Sequence, residues 1–148
     1  MAAALESRRW SGNWRAVSEE GSARIDVARG RSGRRAAVAD ARMLPPGTEI
    51  VLVVPAPGST RRARTVAAAA GVDVSREYLA LPSAQAPAYL IENAAGPFRV
   101  FVDNVLGSPS HGALGRLQDV AVGVIRRLRP RRLVGMLGAG SVVVGRRT

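Results

Sequence analysis

Residues 50–54, IVLVV, form an uninterrupted apolar run that lies between two turn-forming segments. Pro-Pro-Gly precedes the run at 45–47, and Pro-Ala-Pro-Gly follows it at 55–58. A short run rich in β-branched residues between such segments is typical of a strand that is buried on both faces. Strands of this kind lie in sheets covered by helices, so the run predicts an α/β fold.

The residues after this run predict a helix and a second strand. Ser59 or Thr60 can act as the N-cap, since its hydroxyl can accept a hydrogen bond from an amide in the first turn. Residues 60–70 are rich in helix formers, and Gly71 suits the left-handed conformation found at helix C-termini. A second strand is expected at 72–81, so strand, helix and strand together form a Rossmann-like βαβ unit.

The first 48 residues are expected to contain short strands and a flexible loop. In 23–28, ARIDVA, the apolar residues fall at every second position, which indicates a half-buried strand. The segment 29–35, RGRSGRR, is predicted to be a flexible loop because it combines two glycines with four arginines. The chain is interpreted as one domain of 148 residues, with its α/β core at 49–148.

The later part of the chain predicts a hairpin, two helices and a final strand. Strands at 88–92 and 98–102 are separated by Asn-Ala-Ala-Gly-Pro, which suits an antiparallel hairpin. Residues 112–129 carry apolar side chains at spacings of three and four, as in a helix that packs on a sheet. A helix at 131–137 and a strand at 141–145 follow. The expected fold is an α/β domain with a mixed sheet, a βαβ unit, an antiparallel hairpin and two C-terminal helices.

The basic composition allows two further classes of function. All 22 basic residues are arginine, and the formal net charge is +11 at pH 7. Exclusive use of arginine indicates GC-rich coding DNA as much as selection for phosphate contacts, and the aromatic content of 4% offers few platforms for stacking bases. One alternative is a basic module that contacts nucleic acid or an anionic membrane surface through its C-terminal arginines. The other is a protein–protein interaction domain. The arginines in question are Arg126, Arg127, Arg129, Arg131, Arg132, Arg146 and Arg147.

The corner at 55–62, PAPGSTRR, is the strongest candidate for a binding site. A junction between a strand and a helix N-terminus is where α/β sheets bind ligands, and its free amides attract phosphate or carboxylate. Ser59, Thr60, Arg61 and Arg62 are therefore predicted to bind an anion, such as a nucleotide or a nucleotide sugar. The competing interpretation is that Ser59 only caps the helix and that the arginines form its solvated face, since the corner matches no phosphate-loop motif.

Catalytic and metal chemistry have little support in the sequence. Ser59, His111 and either Asp73 or Asp103 supply the residue types of a nucleophilic triad, but no spacing shows that they converge. With no cysteine and one histidine, a transition-metal site is not expected. A magnesium ion held mainly by a bound phosphate would leave no pattern. Neither a reaction nor a cofactor is assigned.

Membrane insertion is not expected either. The most apolar stretch, 133–144, falls short of the roughly 20 residues that a membrane-spanning helix needs. The N-terminal residues lack an apolar segment of the length found in signal peptides. A cytoplasmic location is therefore expected.

The stretch 46–92 resembles the later half of the class I S-adenosylmethionine-dependent methyltransferases. The segments that carry the resemblance are PGTEIVLVVPAP, AAAAGVDV, and REYLALPSAQAP followed by AYLIE. The last two also look like segments of bacterial proteins that assemble cell-surface polysaccharides. The cofactor site of the family lies in its first half, which residues 1–48 are too short to contain. The resemblance therefore implies an accessory or degenerate methyltransferase-like domain of surface-glycan biosynthesis, which works with a partner enzyme of glycan assembly.

Overall fold

A computed structural model describes residues 18, 21–85, 87–101 and 140–148 of the chain. These residues form a five-stranded sheet and three helices, which confirms the predicted α/β class. In chain order the elements are β1 (Ala23–Asp26), α1 (Gly30–Met43), β2 (Glu49–Val54), α2 (Ser59–Ala70), β3 (Val72–Leu81), β4 (Tyr89–Glu92), α3 (Ala95–Phe101) and β5 (Gly140–Arg147).

The sheet is mixed, and its strand order is β1-β2-β5-β3-β4. β1 and β2 are parallel neighbours, whereas β5 runs antiparallel to both β2 and β3. β2 and β3 are thus parallel to each other, with β5 between them. A strand in the centre of a sheet needs apolar side chains on both faces. The three valines at 142–144 meet this need, since all three are buried.

The predicted strand, helix and strand at 49–81 are all present as β2, α2 and β3. A second βαβ unit, which the sequence patterns did not reveal, precedes it. In this unit β1 and β2 are adjacent and parallel, and α1 connects them. The first part of the chain therefore extends the sheet with a parallel strand and adds a helix to one of its faces.

The prediction of a flexible loop at 29–35 is wrong, because most of this segment belongs to α1. Gly33 lies where the helix passes Ala28, and a Cβ atom on Gly33 would come within 2.5 Å of the Ala28 carbonyl oxygen. Glycine at this position therefore permits close packing and does not indicate flexibility. Ala37 and Ala41 are buried one turn apart, and they form the face of α1 that packs on the core.

The predicted hairpin of 88–92 with 98–102 is wrong in its second strand. β4 forms, but it pairs with β3, with Ile91 opposite Leu79. The residues after it form α3, in which Pro97 lies in the first turn. Amides in the first turn have no partner within a helix, so the missing N–H of proline removes no hydrogen bond there. The two predicted C-terminal helices lie outside the described residues.

The sheet buries apolar side chains on both faces, and every residue of β2 is buried, as predicted. The core on the face covered by α1 and α2 includes Ile25, Ile50, Leu52, Val54, Val66 and Val143. The buried cluster on the other face includes Val51, Val53, Tyr78, Leu90, Val142 and Val144. The alternation along β2 and β5 therefore places these two clusters on opposite sides of the sheet.

Candidate anion-binding site

The corner at 55–62 lies at the edge of the sheet where β1, β2 and β3 end. Because these three strands run in one direction, their carboxyl ends meet at the same edge. α2 begins at this edge directly after the loop 55–58. The corner therefore occupies the position at which α/β sheets bind ligands.

α2 begins differently from the prediction. The N-cap is Gly58, which has φ 66° and ψ 26° and so lies in the left-handed region that favours glycine. No side chain caps the helix, so the predicted capping by Ser59 or Thr60 is wrong. Ser59 is instead the first residue of α2 and is fully buried, whereas Thr60 is half-buried.

Two arginines hold the loop that leads into α2. Arg62 donates from Nη1 to the Pro55 carbonyl oxygen at 3.2 Å and from Nη2 to the Pro57 carbonyl oxygen at 3.0 Å. Arg29 donates from Nη2 to the Ala56 carbonyl oxygen at 3.0 Å. Three successive carbonyl groups of the loop therefore accept hydrogen bonds from guanidinium groups. Arg29 comes from the connection between β1 and α1, which the sequence patterns assigned to a flexible loop, and it was missed for that reason.

The guanidinium groups at the corner retain donors for a ligand. A guanidinium carries five N–H groups. The hydrogen bonds to the loop use two of these N–H groups in Arg62 and one in Arg29. Arg61 is exposed, and its guanidinium group makes no hydrogen bond or ion pair with the described residues. Arg29, Arg61 and Arg62 thus bring positive charge and unused donors to the N-terminus of α2.

The third arginine of α2, Arg64, contacts β3 and not the corner. Arg64 donates from Nε and Nη2 to Oε2 of Glu77 at 3.1 and 2.9 Å. The Glu77 side chain is only 12% exposed, and within the part of the chain that the structure describes its other carboxylate oxygen has no hydrogen-bond partner. Arg64 therefore compensates a largely buried carboxylate on β3 and does not contribute to the corner.

The structure does not bring the candidate triad together in its described part. Ser59 begins α2 and Asp73 follows its end, so 12 helical residues, about 18 Å in length, separate them. Asp103 and His111 lie outside the described residues. Among the described residues, no group of three histidine, aspartate or glutamate side chains could hold a metal ion.

Ser141 provides a test of packing at this edge of the sheet. It lies opposite Val54, is fully buried, and its Oγ atom has no hydrogen-bond partner among the described residues. We expect Ser141→Ala to raise the free energy of unfolding by about 1 kcal/mol, because it removes a buried polar group that lacks a partner. Chemical denaturation measures this change. The matched control is Ser75→Ala, which loses the hydrogen bond from Ser75 Oγ to the Val144 carbonyl oxygen and should be less stable than the wild type. A destabilised Ser141→Ala would contradict the expectation.

The basic C-terminal residues fall into two groups. Arg146 and Arg147 belong to β5, where Arg146 lies opposite Glu49 on one side and Asp73 on the other. The five arginines at 126–132 lie outside the described residues. Within residues 21–101 and 140–148, no helix has the length and apolar character needed to cross a membrane.

No protein-family model, curated protein or solved structure matches the chain.

Proposed function

We propose that the chain is a methyltransferase-like accessory domain of bacterial surface-glycan biosynthesis that binds an anionic nucleotide or nucleotide sugar. The binding site is the corner formed by Arg29, Arg61 and Arg62 at the N-terminus of α2. One observation carries the proposal: three successive loop carbonyls hold Arg29 and Arg62 in place, beside the exposed Arg61. Guanidinium groups held in this way lose little conformational entropy when they bind an anion.

The chemistry of the corner suits phosphate groups. Guanidinium groups bind phosphate oxygens through two parallel hydrogen bonds. The amides and the dipole at a helix N-terminus also favour a negatively charged ligand. Residues 55–62 contain no carboxylate, histidine or cysteine. The corner is therefore suited to binding a diphosphate and lacks a general acid or base of its own, which supports an accessory role.

The order of the elements supports the methyltransferase-like part of the proposal. The strand, helix and strand at 49–81 are present as β2, α2 and β3, and β4 pairs antiparallel with β3. The resemblance of 46–92 to the class I methyltransferases rests on this same succession of elements. A nucleotide ligand also implies a cytoplasmic location, where a partner enzyme of glycan assembly would share the nucleotide-sugar pool.

Isothermal titration calorimetry with S-adenosylmethionine, with a uridine diphosphate sugar and with pyrophosphate tests the proposal. We expect at least one of these ligands to bind with saturation. Arg61→Ala should weaken binding about fivefold to tenfold, because it removes a charged donor. The stability of this variant should not change, since Arg61 has no partner among the described residues.

The matched control is Arg24→Ala. Arg24 is an exposed arginine of β1, and its neighbour Ile25 packs into the core beneath α1 and α2, so the Arg24 side chain lies on the opposite face of the sheet from α2. The control should bind the ligand as the wild type does. Absence of heat with all three ligands, or equal weakening by both substitutions, would overturn the proposal.

A further inference from the structure

An open groove lies between α1 and α2 on the outer surface of the helical layer. Its volume is about 700 Å³. The floor is made of small and aliphatic residues, among them Val38, Val66 and Ala69. Four arginines of α1 line the same groove, and none of the described residues that line it is acidic. The four are Arg31, Arg34, Arg35 and Arg42. The groove therefore combines an apolar floor with positive charge only.

Most of these arginines have no partner within the described part of the chain. The side chains of Arg31, Arg34 and Arg35 make no hydrogen bond or ion pair there. Arg42 is different, because its Nη2 donates to the Ala69 carbonyl oxygen at 2.7 Å and so joins α1 to α2 at one end of the groove. The three other guanidinium groups retain all their donors for a ligand.

The position of the arginines opposes the stability of α1. The N-terminus of a helix carries a partial positive charge, which repels cations. The first turn of α1 contains no acidic residue, and no side chain caps the helix. Arg31 and Arg35 are also one turn apart, a spacing at which like charges repel. An anionic ligand in the groove would remove both effects, so the arrangement indicates a binding surface.

We propose that this groove binds an acidic amphipathic helix of a partner protein. Arg31 and Arg42 are 11 positions apart in α1, or about 16 Å, which is the length of three helical turns. A partner helix lying along the groove could place apolar side chains on the floor and carboxylates beside the arginines, as in other helix-in-groove complexes. The exposed alanines Ala39 and Ala69 allow its backbone to approach closely.

Two other anionic partners fit the groove less well. Nucleic acid would leave the apolar floor unused, and the groove contains no aromatic side chain on which a base could stack. A membrane surface needs a protruding apolar face, whereas this surface is concave. The described residues that line the groove include none of 55–62, so the proposed partner is a ligand different from that of the corner.

The test is a fluorescence anisotropy titration with a labelled synthetic helix of about 18 residues, roughly 27 Å long, with leucines on one face flanked by glutamates. We expect saturable binding that weakens as salt is added. Arg31→Glu should weaken binding about tenfold, since it replaces an attraction by a repulsion. The same change places an acid in the first turn of α1, so the melting temperature should stay the same or rise.

The control is Arg24→Glu, which makes the same change of charge on β1. The neighbouring Ile25 packs into the core beneath α1 and α2, so the Arg24 side chain lies on the opposite face of the sheet from the groove. Its ion pair with Asp26 is exposed, so this substitution should leave both the fold and peptide binding unchanged. Equal weakening by both variants would overturn the proposal, as would absence of saturable binding. Equally tight binding of a peptide with serines in place of the leucines, or displacement of the peptide by an equimolar oligonucleotide, would assign the groove to polyanions instead.

Discussion

Replacing Leu52 by alanine is expected to lower the free energy of unfolding by about 4 kcal/mol. Leu52 lies in the middle of β2, is fully buried, and pairs with Ile25 of β1 and Val143 of β5. Its side chain belongs to the core beneath α1 and α2. The substitution removes apolar contacts and leaves a cavity that neighbouring strands, held by hydrogen bonds on both sides, cannot close. Denaturation in guanidinium chloride, followed by circular dichroism, measures the loss.

Met43→Ala is the control for this prediction, because the Met43 side chain is 86% exposed at the end of α1. Removing it should change the free energy of unfolding by less than about 0.5 kcal/mol. Small domains have a total stability of roughly 5–15 kcal/mol, so Leu52→Ala should leave a large unfolded fraction in mild denaturant whereas Met43→Ala should not. A loss below about 1 kcal/mol for Leu52→Ala would mean that the central position of β2 is wrong.

Gly145→Ala is expected to lower the free energy of unfolding by about 3 kcal/mol. Gly145 lies in β5 between Ile50 of β2 and Val74 of β3. A Cβ atom there would overlap the carbonyl oxygen of Asp73 and would lie 2.8 Å from Cγ1 of Val72. The obstructing carbonyl is backbone, so the new methyl group can be accommodated only if β3 moves. The pairing of β3 with β5 already has an irregular register between Val74 and Arg76, and it should be the first part of the sheet to open.

Gly96→Ala is the matched control for this substitution. Gly96 lies in α3, and no atom is within 4 Å of the position that its Cβ would take. Alanine is the better helix former, so this variant should be more stable than the wild type by about 0.5 kcal/mol. In Gly145→Ala, the amides of β3 should exchange hydrogen faster than in the wild type, which shows where the sheet opens. Equal stability of the two variants would contradict the expectation.

The central elements could be predicted because their signals are local. β2 is an apolar run between proline-containing turns, and Gly71 adopts the left-handed conformation expected after a helix, with φ 70°. The strand at 141–145 was also recognisable from its run of valines. Its place in the sheet was not, because the pairing of β5 with β2 and β3 joins residues far apart in the chain. A local sequence pattern predicts a strand but does not predict which other strands it pairs with in the sheet.

Two helices were missed because their glycine and proline residues have roles other than turn formation. Gly33 allows α1 to pass close to Ala28, and Pro97 lies in the first turn of α3. Without α1, the groove beside it and the position of Arg29 could not be foreseen. At the corner, the sequence placed Arg62 beside the loop that it contacts, but the partners of Arg29 and Arg64 lie further along the chain and depend on tertiary contacts.

The central position of β5 has a consequence for synthesis of the protein in the cell. When the ribosome has released the chain only as far as residue 139, β1 can pair with β2 and β3 can pair with β4, but the strand that joins the two pairs has not emerged. The edges of β2 and β3 then carry unpaired backbone groups and apolar side chains, which are templates for aggregation. The nascent chain is therefore most exposed to aggregation during this interval, and its sheet closes only after β5 is released.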